Sequence, residues 1–301
     1  MKEHEIDAPF VTTWRLPAHG FAWVEATRLV NRSRDTFLVE QQVSPPHKYK
    51  LYDPLRACTG LFRVLAEIPP TQGGVLGFAN KYGQLGGRFS ETVSILGRSR
   101  VSRPGQPVLL AKGETLGAWT KEISTMKALI RLWDAARRGD TATIEKWIHW
   151  RKGEVTYDFK VGQYHAGGIL AAPDHYPEIL EGLVPEDVVQ PAWHLLQCEL
   201  NARLAEHPPM PYLVWNQDRS ELRVRLKPIS LISALWLQFA FAVGENYSYR
   251  TCAACGMWFQ VGPGGNMRAD AKYCSNACRQ KKYREKLVSK KRGRRGKGSR
   301  A

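Results

Sequence analysis

The sequence predicts an α+β fold. A helix-rich body over residues 1–248, with short strands and a hairpin, is followed by a small cysteine-held module over 249–288 and a basic, disordered tail over 289–301. Three observations lead there. Apolar residues recur at helical spacing through the middle of the chain, and short alternating runs lie on either side of it. Near the C-terminus stands Cys252-x2-Cys255-x18-Cys274-x3-Cys278. With 301 residues, 43% of them apolar, and ten Trp, the body has ample material for a core.

Residues 20–24 and 36–39 read as strands. Residues 55–68 form a helical pattern closed by Pro69-Pro70. A second helix opens after Thr71, a natural N-cap, and stops at Gly83. Residues 86–113, rich in Gly, Ser, Arg and Pro, read as loop with a short strand. The clearest helix begins at Thr115, where Leu116, Trp119, Ile123, Met126, Ile130 and Trp133 step by three and four along one seam. Arg137 and Arg138 suit its negative end, and Gly139 ends it. The seam reads as core-facing, because about three heptads are few for the alternative, a dimerising coiled coil.

Residues 141–150 read as a short helix completing a helical hairpin, and 155–161 alternate like a strand. A long helix follows within 185–206, its start blurred by Pro191. Residues 212–215 and 222–226 make a hairpin around a turn at 216–220. Ser230 caps a helix over 231–243 that is apolar all round and belongs at the centre. His165-Ala166-Gly167-Gly168 reads as a turn. Trp133, Trp147, Trp150, Trp193 and Trp236 read as core, and Cys58 and Cys198 as inert buried thiols.

Charge is unevenly placed. The chain carries +16 in total, and 12 Lys or Arg against Glu285 alone put +11 of it between Arg279 and Ala301. Such an end seeks a polyanion. The N-terminus has no apolar run of a targeting segment, and the longest apolar stretch falls short of the roughly 20 residues that span a bilayer. A cytoplasmic protein is expected, in which close-set cysteine pairs stay reduced and read as metal ligands.

Zinc takes four tetrahedral ligands in structural sites, and thiolate is a soft, anionic one. A Cys-x2-Cys turn aims two sulfurs at one centre. The pair Cys274 and Cys278 spans about one helical turn, with Ser275 as N-cap. Between the pairs, Trp258-Phe259-Gln260-Val261 is strand-like, residues 262–265 are a glycine-rich turn, and a second short strand would lead to Tyr273. Knuckle, hairpin and helix describe a treble-clef finger with Cys252, Cys255, Cys274 and Cys278 holding Zn2+. The same residues carry a resemblance. Cys252-Ala-Ala-Cys255, Trp258-Phe259, Arg268, Asp270, Tyr273-Cys274-Ser275-x-x-Cys278 and Tyr283-Arg284 resemble the CGNR-type zinc finger of bacterial ABATE-type regulators, over about residues 250–284. The name-giving Cys-Gly-Asn-Arg reads Cys278-Arg279-Gln280-Lys281 here, so the ligand is kept and Gly and Asn are replaced. The resemblance implies DNA binding and transcription regulation.

Behind the last cysteine a helix would align Arg279, Lys282, Lys286 and Lys290 in one positive stripe, with Tyr283 and Leu287 packed on the finger. Arg284, Lys291, Arg292, Arg294 and Arg295 add further phosphate contacts. No G-x-G-x-x-G, P-loop, H-E-x-x-H or G-x-S-x-G is present, so no enzyme is expected. These readings predict a zinc-binding, regulator-like protein whose partner is nucleic acid, DNA ahead of RNA, and not a membrane. An RNA- or ribosome-associated binder is the alternative. So is a protein-interaction module with purely structural zinc. A homodimer is left open.

Overall fold

The computed structural model describes residues 13–41, 48–95, 109–216, 220–262, 265 and 267–297; the side chains of 56, 57, 216 and 288–297 lie outside the description. Strands β1 (Trp14–Pro17), β2 (Phe21–Arg28), β3 (Arg34–Glu40) and β4 (Tyr49–Tyr52) lead into helices α1 (Pro54–Ala57), α2 (Leu61–Glu67) and α3 (Gln72–Tyr82). A 3-10 turn at Gly87–Phe89 precedes β5 (Glu91–Ile95), β6 (Leu109–Thr115) and the long α4 (Leu116–Arg138). The chain continues through α5 (Thr141–Ile144), β7 (Ile148–Arg151), β8 (Glu154–Val161), β9 (Tyr164–Ala171), α6 (Pro177–Glu181) and α7 (Val189–Glu206). It ends with β10 (Met210–Asn216), β11 (Glu221–Lys227), α8 (Leu231–Gly244), β12 (Ser248–Thr251), β13 (Trp258–Val261) and α9 (Asn276–Lys297).

The molecule is built around α4. The Thr115 hydroxyl accepts the Ala118 N–H at its start, and Gly139, left-handed at φ 61°, returns its N–H to Ala135 and Ala136 at its end. Trp119, Ile123, Met126, Ile130 and Trp133 are buried, as the seam requires, with Leu116 half-buried against them. Burial also reaches Thr120, Ser124, Ala128 and Leu132, because α2, α7 and the β8–β9 sheet pack on several faces of the helix. Helix α8 lies against α2 and α7, buried from Leu231 to Phe239, and Trp236 donates its indole N–H to Glu122 on α4. The strands β2, β3, β6 and β5 close a small antiparallel barrel around Ala26, Phe37, Val39 and Val93. The strands β7, β8 and β9 form an antiparallel meander over α4.

Several expectations change. The helix expected over 55–68 breaks into α1 and α2 at residues 58–60, where the C-terminal module comes close to Gly60, as described below. Only α5 forms from the helix expected over 141–150. The run Ile148-His149-Trp150 pairs with Val155–Tyr157 instead, a choice that suits a β-branched and an aromatic residue. The residues His165–Gly168 lie within β9; the turn falls earlier, at Gly162 with φ 62°, which closes the Val161–Tyr164 pair. Cys198 is exposed on α7, its sulfur 3.5 Å from His194 Nε2, whereas Cys58 is buried. Part of the loop expected over 86–113 and part of the turns at 216–220 and 262–265 lie outside the described residues. Among the described residues, no helix is long and apolar enough to cross a membrane.

Candidate metal centre

The C-terminal module starts three residues after α8. Strand β12 pairs antiparallel with β13, from Ser248 opposite Val261 to Thr251 opposite Trp258. The Cys252-x2-Cys255 turn sits at the tip of this hairpin. Cys252 donates its N–H to Met257 O, and Gly256 donates to Cys252 O from φ 71°, a conformation that favours glycine. The hairpin therefore precedes and encloses the knuckle. The second strand expected before Tyr273 is not among the described strands; β13 pairs instead with β12. The connector returns instead through single backbone bonds, Gly262 N–H to Met267 O and Ala253 N–H to Lys272 O.

That return brings Cys274 to the knuckle, where its N–H points at Cys252 Sγ across 3.4 Å. The Ser275 hydroxyl then accepts the Cys278 N–H at 3.2 Å and starts α9. The cap fixes Cys278 one turn beyond Cys274. The four sulfurs lie within 4.8 Å of one another, with Cys255–Cys274 at 3.7 Å and Cys274–Cys278 at 3.5 Å. A tetrahedral ion with metal–sulfur bonds of about 2.3 Å spaces its ligands by about 3.8 Å, so the donor set fits a zinc-type tetrathiolate. Electrostatics divides the four. Burial opposes ionisation of Cys252, but the N–H groups of Cys274, Ala254 and Cys255 outweigh it and hold this thiol down to about 6. Burial and neighbouring sulfurs push Cys255 and Cys274 up. A cation at the centre would relieve that crowding of charge.

The module is seated on the body by its own aromatic side chains. Trp258 donates its indole N–H to Glu67 at 2.9 Å, and Thr59 Oγ1 accepts the Gln260 N–H at 3.3 Å. A Cβ on Gly60 would lie 2.6 Å from Trp258 Cβ, so only glycine admits this contact. Behind it, Arg63 forms a two-pronged ion pair with Asp134, at 2.7 and 2.9 Å. Its guanidinium lies 5.0 Å from the rings of both Trp133 and Trp258 and 5.5 Å from that of Tyr249. The arginine thus joins α2, α4 and the module. The sequence reading, one helix over 55–68, singled out neither Gly60 nor Arg63.

On the other side of the metal cluster, α9 leaves the module and runs to Lys297, where the sequence reading placed disorder from 289. Lys, Arg and Gln are good helix formers, and a start fixed at Ser275 removes the nucleation cost. Arg279, Arg284 and Lys286 are exposed; Lys282 pairs with Glu285 at 3.1 Å. Tyr283 and Leu287 are exposed too, rather than packed on the finger, because the helix points away from it. Lys290, Lys291, Arg292, Arg294 and Arg295 lie on the helix, with side chains outside the description.

Among the described residues, no other group of three or more His, Cys, Asp or Glu side chains converges as a metal site. The fold and this site define a class: an α+β protein with a four-cysteine, metal-type module docked at its C-terminus. Comparison with protein-family models, with curated proteins and with solved structures finds no match.

Proposed function

We propose that the chain is a zinc-binding protein that grips nucleic acid, DNA ahead of RNA, through the finger and α9, and that it acts as a regulator rather than an enzyme. The observation that carries the reading is the basic helix anchored at Cys278 and projecting from the metal cluster with Arg279, Arg284 and Lys286 in solvent. Tyr283 lies one turn from Arg279 and three residues from Lys286, so an aromatic face stands among the cations, as stacking on bases requires. The likeness of residues 250–284 to CGNR-type treble-clef fingers supports regulation of transcription. Fluorescence anisotropy across salt tests it. Binding should weaken with a log–log slope near −5 on duplex DNA, for about six phosphate contacts. It should be lost when the Lys and Arg residues from 279 onward are replaced by Gln. Tight binding that survives this replacement would refute the proposal, and tighter binding of structured RNA would move the partner from DNA to RNA.

A second reading draws on the seat of Trp258 against Gly60, Glu67 and Arg63. There the metal fastens the C-terminus to the body and α9 docks a protein. It predicts that the same Gln replacements leave nucleic-acid affinity negligible and unchanged.

A further inference from the structure

The β10–β11 hairpin has two unlike faces. Directly opposed residues share a face, so Pro211–Leu226, Leu213–Val224 and Trp215–Leu222 form one ladder with no polar side chain in it. The other face carries Tyr212–Arg225, Val214–Arg223 and Met210–Lys227. That second face is dressed by its own charges: Lys227 stands over the Tyr212 ring at 5.3 Å, and Arg223 pairs with Glu221. Among the described residues, no charged side chain is recorded over the apolar ladder. Leu213 is 59% exposed, Trp215 54%, Leu222 61% and Val224 68%. Among the described residues, the two strands pair with each other and with no third strand. A lone two-stranded hairpin is marginal in water, and a contiguous apolar patch of this size marks a contact surface.

We infer that this ladder is the contact between two copies of the chain, stacked face to face. The four most exposed side chains offer about 500 Å² per copy, or about 1,000 Å² over two copies, which reaches the lower range of a specific interface. The ladder is also complementary to itself. A twofold axis lying between the faces and crossing the strands at Leu213–Val224 places each bulky Trp215–Leu222 pair over the smaller Pro211–Leu226 pair of the second copy. Charge permits it. Each copy carries +16, yet the hairpin's own cations Arg223, Arg225 and Lys227 lie on the far face, away from the contact. The arm enters α8 at Ser230, and the metal module follows the other end of this 14-residue helix, about 21 Å away. The pairing contact and the metal module are thus attached at opposite ends of α8.

Sedimentation velocity on the full chain, stripped of nucleic acid by high salt, tests the inference. The wild type should dimerise with rising concentration. Leu213→Lys and Val224→Glu should each weaken that dimer more than about tenfold, with metal content and melting unchanged. Tyr212→Lys, on the opposite face, should dimerise like the wild type. A wild type monomeric at every soluble concentration would overturn the inference, leaving the ladder to another partner. So would a Leu213→Lys or Val224→Glu dimer as tight as the wild type, or loss of the dimer in Tyr212→Lys.

Discussion

Glu114 shows how one side chain couples the barrel to the core. It sits on β6, fully buried, and its two carboxylate oxygens accept the N–H groups of Leu85 and Gly86 at 3.1 and 2.6 Å. Burial outweighs those bonds and raises its pKa from 4.5 to about 7. The folded state therefore holds a proton there that the unfolded chain has released. The stabilisation is complete below 4.5 and fades as pH climbs through about 7. His207 has the opposite sign: burial and Arg88 hold it down at about 4, so it favours the fold as pH rises from there to 6.5. In Glu114→Gln the His207 contribution remains and the Glu114 contribution is gone. The stability of wild type minus variant should fall by about 3 kcal/mol between pH 4.5 and 7. Denaturant melts at a series of pH values measure it, and parallel curves for the two proteins would contradict the assignment. Nothing in the sequence around Glu114 announced this. An acidic residue near a strand end reads as exposed until Leu85 and Gly86 are seen turning their N–H groups toward it.

Elements whose boundaries are set by near neighbours were legible in the sequence. Thr115 and Gly139 bracket α4, Thr71 and Gly83 bracket α3, and Ser230 caps α8, each through bonds reaching no more than a few residues. The cysteine cluster was legible for the same reason, since its spacing encodes the knuckle and the helix start. Elements decided at a distance were not. The break between α1 and α2 lies against Trp258, whose backbone carbonyl is 3.9 Å from Cys58 Sγ, 200 residues earlier in the chain. Exposed β9 carries Gly167 and Gly168, which look like a turn until β8 pairs with them. The break offers a test at its own scale. Gly60 has φ −116°, so alanine there strains no backbone, but its Cβ must displace Trp258. Gly60→Ala should cost about 1–3 kcal/mol, keep its metal, and speed proteolysis between α8 and β12. Unchanged stability would mean that the module does not bear on α2.

At the scale of the whole molecule, the module keeps a small cluster of its own, Cys252, Phe259 and Val261, and also packs on the core of the body. Tyr249 and Met257 from the module pack against the main cluster that contains Phe62, Trp133 and Phe239. Arg63 stands in the same aromatic surround. Metal removal should therefore weaken more than the module. If the four-cysteine cluster holds a metal as proposed, Cys278→Ser should lose it and lower the melting temperature of the body by roughly 5–10 °C, the shift expected from a few kcal/mol in a domain of this size. Cys58→Ser should keep its metal content, because that thiol lies outside the four-sulfur cluster and burial pushes its pKa up to about 11. Elemental analysis with differential scanning calorimetry reads both. A separate low-temperature transition for the module, with the body's own melting unmoved, would show two independent units instead.

Only Glu245, Asn246 and Tyr247 connect α8 to β12, and Arg137 on α4 ties Tyr247 O and the Ser248 hydroxyl to the body. There is no slack in that joint. Whatever α9 meets comes up against a module joined to the body by three residues whose backbone is held to α4, so the lean of the body beside it is set by that joint and not by a long tether.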